Sequence, residues 1–174
     1  ALYDVVDADH VAGRVDASVR PNQVFAVGGL PLMLLPLDRA ALVVDEIERR
    51  LLTPIGLRSL DPSHDAYAAH YEGGPEQRDA AYHQGTVWPW LLGPFIEAWL
   101  RVRGMSASAV VDANRRFMPA LDDHCQRFGI GHLSEVADGE APHEPGGCPF
   151  QAWSLGEFLR VRRLLDLNHR IHIH

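Results

Sequence analysis

Leu91 to Val102 carries only two charged residues, Glu97 and Arg101, in an otherwise apolar run. A helix that is apolar on nearly every face has to be enclosed by the rest of the chain. The stretch feeding it is Ala81-Tyr82-His83-Gln84-Gly85-Thr86-Val87-Trp88-Pro89-Trp90, which mixes aromatic rings with hydrogen-bonding side chains around one glycine. Thr86 is expected to cap the helix and Pro89 to sit in its first turn. The spacing then predicts a buried helix over 87–103, kinked at Pro94 and ended by Gly104. Trp88 and Trp90 at its mouth suit a pyranose, whose apolar C–H face stacks on indole while His83 and Gln84 serve its hydroxyls. Placing the same tryptophans in the core accounts for this stretch equally well.

Four more helices are expected around this one. Asn22 can cap an apolar segment over 23–35, interrupted by Gly28, Gly29 and Pro31. Asp38 opens an amphipathic helix over 39–52, with Val43, Val44, Ile47 and Leu51 on one face and a Glu46–Arg50 pair on the other. Ser106 or Ser108 starts a helix that runs to about Phe128, buries Val110, Phe117, Leu121 and Cys125, and ends at Gly129. Pro149 suits the first position of a last helix over 150–167, with Gln151 and Trp153 in its first turns. No segment reads as a strand, so an all-α fold is expected, in one domain over residues 1–174.

The helices expected near 22, 87 and 149 are apolar nearly all round at their starts. Those over 39–52 and 106–128 are amphipathic. This inner–outer alternation is the pattern of a double ring of helices. Two long connections, 54–85 and 130–147, enter inner helices, and the second is crowded with His132, Glu135, Asp138, Glu140, His143 and Glu144. Connections of that length are functional or disordered, and the tyrosines of the first argue for order. A site is therefore expected where the inner helices begin, with Asn22, Gln84, Trp88, Glu135 and Gln151 converging there.

The 174-residue chain has a formal net charge of −7, which argues against nucleic acid or an anionic membrane as partner. No apolar run is long enough to span a bilayer. Cys125 and Cys148 lack the paired spacing of a zinc site and are too few for a disulfide framework, so a cytoplasmic location is expected, with no cofactor and no metal. His169, His172 and His174 read as a tag-like or frayed end rather than a metal site. The opening in mid-pattern, without methionine, reads as a piece of a longer protein.

Several segments resemble the C-terminal, amylo-α-1,6-glucosidase domain of glycogen debranching enzymes. They are Arg20-Pro21-Asn22-Gln23, the segment from Leu51 to Arg58, the segment from Tyr82 to Phe95, Ser134-Glu135-Val136-Ala137-Asp138-Gly139, and Gly147-Cys148-Pro149-Phe150-Gln151-Ala152-Trp153-Ser154. They fall in order and cover most of the chain. The resemblance implies the C-terminal half of an (α/α)6 toroid. It also implies inverting hydrolysis of α-1,6-linked glucose at glycogen or dextrin branch points. Such chemistry needs two carboxyl groups roughly 6.5–9.5 Å apart with a water between them. The family's general base corresponds to Glu135. Its general acid, in a Trp-Met-Asp segment, has no counterpart here, and Asp61 and Asp79 match no acid motif, so the acid is expected outside this chain.

The expected substrate contacts are Asn22, Gln23, Arg58, Tyr82, His83, Gln84, Trp88, His143, Gln151 and Trp153. Trp88 is the better stacking candidate, and Trp90 the better core candidate. Asn22, Gln23 and Arg58 serve equally well as caps or structural hydrogen bonds. Both cysteines read as unreactive fillers. The alternatives are another (α/α)6 glycosidase, acting on trehalose, a glucoside or glucosylglycerate, and a non-catalytic carbohydrate-binding fragment.

Overall fold

The most strongly patterned segment forms the helix its sequence announces. In the computed structural model, which describes residues 1–171, α1 runs Leu37–Arg50 and buries Ala40, Val43, Val44 and Ile47. Burial of each larger aliphatic side chain in that stripe stabilises by about 1.5–3 kcal/mol. Arg50 closes the far end, pairing with Glu46 one turn back and with Asp61 beyond the helix.

The apolar run over 87–103 folds differently from its expectation. Val87–Trp88 is extended, Pro89–Leu91 is a turn of 3₁₀ helix, and α3 begins only at Leu92 and ends at Arg101. The residue before a proline is steered out of the helical region, and Trp88 sits at φ −113°, ψ 107°. Thr86 therefore caps nothing; its hydroxyl is used inside the loop. Every residue of α3 except Glu97 and Arg101 is buried. Pro94 falls in the first turn, where its missing N–H has no partner to lose.

α4 (Ala107–Arg127) starts as expected, with the Ser106 hydroxyl accepting from the Ala109 N–H at 3.3 Å. α5 (Ala152–Ile171) turns Ser154, Phe158, Val161 and Leu165 inward. α3, α4 and α5 pack on one another, and α1 packs on α3. In place of the helix expected over 23–35 there is a 3₁₀ helix, Pro21–Ala26, followed by irregular chain. Gly28 lies so close to the backbone of Pro94 and Ala98 that a Cβ would stand 2.8 Å from the Ala98 Cα. Arg101 donates to the carbonyls of Val27, at 2.9 Å, and Leu30, which fixes this segment against α3.

The all-α expectation, and with it half of an (α/α)6 toroid, is overturned by two antiparallel sheets. β1 (Val5–Val6) and β2 (Val15–Asp16) form one. β3 (Leu52–Thr53), β4 (Gly56–Arg58), β5 (Val87–Trp88), β6 (Val136–Ala137) and β7 (Pro145–Gly146) form the other, in chain order. Leu57 pairs with Trp88, Val87 with Ala137, and Val136 with Gly146. Strands of two or three residues cannot display the alternation by which a strand is read. The pairings of β4 with β5 and β5 with β6 join segments far apart in sequence, so they are visible only once the chain is folded.

By connectivity, this sheet lies where α1 and α4 end and where α3 and α5 begin. Both long connections are therefore tied down: 54–85 follows β3 and contains β4 and α2 (Pro75–Ala81), and 130–147 contains β6 and β7. Among the described residues no helix is long and apolar enough to cross a membrane. His172, His174 and the side chain of His169, on which the tail reading rests, lie outside what is described.

Candidate active site

Gly85 sets the local geometry. At φ +147° it brings the chain so close to Ala68 and Tyr67 that a Cβ would meet the Ala68 carbonyl oxygen and stand 2.8 Å from the Tyr67 ring. The Gly85 N–H donates to Ser59 Oγ at 2.9 Å, and Thr86, fully buried, donates its hydroxyl to the Tyr82 carbonyl at 2.6 Å. The same hydroxyl oxygen accepts the Trp88 indole N–H at 3.1 Å. The loop from Tyr82 to Trp88 is thus closed on itself by buried hydrogen bonds, and a satisfied polar network of this kind is rigid.

The rings held by this loop line a cavity of about 280 Å³, together with Arg20, Pro21, Asn22, Ser59, Trp90, Leu91 and Trp153. His83 lies parallel to Trp88, with an interplanar angle of 3° and centroids 5.3 Å apart. Trp153 at the start of α5 is 49% exposed and leans over both Trp88 and Trp90, at 6.2 and 6.0 Å. Trp88 itself is only 6% exposed, whereas Trp90 is half-buried, so the indole faces reachable from solvent are those of Trp153 and Trp90 more than Trp88. Three indoles and an imidazole around one opening make a surface that can stack an apolar ring face.

Arg20 braces the polar part of the lining. Its guanidinium donates to the carbonyls of Ser59 (3.1 Å) and His83 (2.6 Å) and to Gln84 Oε1 (3.1 Å). Asp4 lies 3.5 Å from its Nε. The sequence reading placed Arg20 in a recognisable segment but gave it no role; an arginine flanking Pro21 and Asn22 was the available signal. Ser59 and Leu91 are wall residues with no signal in the sequence, and Trp90, the better core candidate by sequence, lines the cavity as well.

Glu135, half-buried, stands just ahead of β6, where its own N–H donates to the Cys148 carbonyl at 2.9 Å. Its Oε1 accepts the Tyr82 hydroxyl at 2.6 Å and Gln151 Nε2 at 3.2 Å, and its Oε2 accepts the Cys148 N–H at 2.9 Å. Tyr82 packs edge-on against Trp88 with centroids 4.8 Å apart, which places the carboxylate one side chain away from the aromatic wall. Burial, followed by the hydrogen bond to Glu135, pushes the Tyr82 phenol well above its ordinary value. It therefore stays a donor to the carboxylate.

The other expected contacts divide. Asn22, His83, Trp88 and Trp153 line the cavity, and Tyr82 and Gln151 bind Glu135. Gln84 is engaged by Arg20. Gln23 accepts the Leu2 N–H at 3.0 Å and donates to the Arg20 carbonyl at 3.1 Å, a structural role. Arg58 donates to the Gly139 carbonyl at 2.8 Å on the sheet. His143, at φ +61°, contacts the Asp138 carbonyl through Nδ1 at 2.9 Å and lines a second cavity, of about 470 Å³, with His124, Phe128 and Glu144. Cys148 is exposed, so it fills no core, whereas Cys125 is buried.

Asp61 and Asp138 are engaged by other partners. Asp61 is buried, which opposes its charge, but the Ser63 hydroxyl and N–H and the Arg50 guanidinium outweigh that and hold its carboxyl below the usual range. Asp138 is occupied by the Tyr71 N–H at 2.7 Å and by His70 at 2.8 Å. Among the described residues no group of three or more acidic, histidine or cysteine side chains could hold a metal ion.

The sequence profile of the family described as amylo-alpha-1,6-glucosidase matches residues 1–160. Among curated proteins, the glycogen debranching enzyme of Saccharomyces cerevisiae is 36% identical over 92 residues. That alignment covers 48% of this chain and 6% of the yeast protein.

Proposed function

The chain belongs to the amylo-alpha-1,6-glucosidase family, and from that premise we propose that it forms part of a glycoside hydrolase that removes α-1,6-linked glucose at branch points of glycogen or a related glucan. The observation that carries the reading is the position of Glu135: a hydrogen-bonded carboxylate one tyrosine away from a cavity walled by His83, Trp88, Trp90 and Trp153. The rings take the apolar face of the glucose. Asn22 and Arg20, in the same lining, supply polar contacts for its hydroxyls.

Glu135 acts as general base. It takes a proton from a water that attacks the anomeric carbon from the side opposite the leaving oxygen, which inverts the configuration. The leaving oxygen needs a proton from a second carboxyl group. Asp61, held ionised by Arg50 and Ser63, is the wrong kind of group for that role, so the acid is supplied from outside these residues.

The test uses the full-length polypeptide that carries this chain and a glucosyl limit dextrin as substrate. Proton NMR during the first turnovers is expected to show β-glucose forming ahead of its mutarotated anomer. Glu135→Gln is expected to lower turnover about 10²–10⁴-fold, equivalent to about 3–5 kcal/mol of barrier, and azide should restore part of the loss. First-formed α-glucose, or near-parental turnover in Glu135→Gln, would refute the reading.

A further inference from the structure

A general base needs a free lone pair aimed at the water, and the Glu135 carboxylate has few to spare. Each carboxylate oxygen offers about two acceptor sites. Oε1 uses both, one for the Tyr82 hydroxyl at 2.6 Å and one for Gln151 Nε2 at 3.2 Å. Oε2 uses one, for the Cys148 N–H at 2.9 Å, and keeps the other. The oxygen able to receive a proton is therefore Oε2, and the Tyr82 bond, the shortest of the three, opposes rotation of the carboxylate away from that pose.

Tyr82 is tied to the sugar platform as well as to the carboxylate. Its ring packs edge-on against Trp88 and His83, with centroids 4.8 and 4.9 Å away. Its carbonyl accepts the Thr86 hydroxyl, whose oxygen in turn accepts the Trp88 indole N–H. Tyr82 does not line the cavity, and its only hydroxyl proton is committed to Glu135. That combination fits a residue that sets the distance between platform and base.

We infer that Tyr82 is a positioning residue: it holds Glu135 through Oε1 in register with the Trp88–His83 stack, so that Oε2 faces the water. The inference rests on the reading of Glu135 as general base. It replaces direct sugar contact as the role of Tyr82.

The experiment again uses the full-length polypeptide and glucosyl limit dextrin. Tyr82→Phe keeps the ring and removes the hydroxyl. Expected are a fall in kcat of about 10–100-fold and KM within about twofold. Gln151→Met, which removes the second donor to Oε1 without touching Tyr82, should lower kcat severalfold at unchanged KM. Thermal melts matching the parent check the fold of both.

Combining Tyr82→Phe with Glu135→Gln separates positioning from sugar contact. A residue acting through Glu135 adds nothing to a variant that already lacks the base, so turnover should equal that of Glu135→Gln alone. Dextrin affinity by calorimetry should then also stay within about twofold. A tenfold loss of affinity in that background would show Tyr82 touching the sugar and overturn the inference. So would parental kcat in Tyr82→Phe while Glu135→Gln is inactive. Near-parental turnover in Glu135→Gln would overturn the base assignment itself and is recognisable as that separate failure.

Discussion

Two cavities lie beside the larger sheet, and they differ in what lines them. The larger, about 470 Å³, holds His124, His143, Asp123, Arg127 and Glu144. The smaller, about 280 Å³, has fewer charged groups but three indoles, and Glu135 lies behind it. In the larger cavity the histidines are spent on structure. His124 Nε2 lies 3.3 Å from both the Ser134 N–H and its hydroxyl, and His143 leans on the Asp138 carbonyl. In the smaller one the indole of Trp153 stays open and Glu135 keeps an unused lone pair. A wealth of titratable side chains does not make a site; what counts is which of their polar atoms remain uncommitted.

Two adjacent residues ahead of β6 face different partners. Ser134 turns to His124, and Glu135 turns to Tyr82. The same strand entry thus serves packing on one side and the candidate chemistry on the other.

Beyond the Glu135 and Tyr82 variants, Trp153→Ala should give the largest effect that distinguishes the cavities. It removes the exposed indole from the smaller one without opening the core, and dextrin affinity should fall about tenfold, or about 1.4 kcal/mol, by calorimetry. Unchanged affinity would show that the open ring face carries no binding.

A smaller effect is expected in the larger cavity, and in stability rather than activity. Burial lowers the pKa of His124. Its folded value then lies below the unfolded value of about 6.5, so the unfolded state takes up the proton first, and stability falls as pH drops below that value. His124→Gln keeps an acceptor for Ser134 and does not titrate. Its melting temperature should change less between pH 7 and pH 5 than that of the parent, by a few degrees. Parallel melting curves would break the claim that His124 is a structural histidine.

The smallest effect belongs to His143→Asn. Asparagine tolerates the left-handed conformation at φ +61°. With no part in the smaller cavity, the variant should keep kcat/KM for dextrin within about twofold. A tenfold loss would mean that both cavities contribute to one glucan-binding surface.

The sequence by itself determined the elements whose signal is local. α1 and α4 follow from apolar spacing and, for α4, from the Ser106 cap, because a helix is built from contacts three and four residues apart. The segments around Tyr82–Trp90, Ser134–Gly139 and Gly147–Ser154 marked the candidate site by residue type and by their resemblance to the family. Only the tertiary structure decided the sheet, since pairs such as Leu57 with Trp88 and Val87 with Ala137 join segments that carry no strand pattern of their own. It alone decided that Gln23 and Arg58 brace the scaffold, that His143 faces another cavity, and that Tyr82 points its proton at Glu135. Those outcomes depend on where side-chain vectors meet across long sequence separations, and residue identity carries no information about that until the chain has closed on itself.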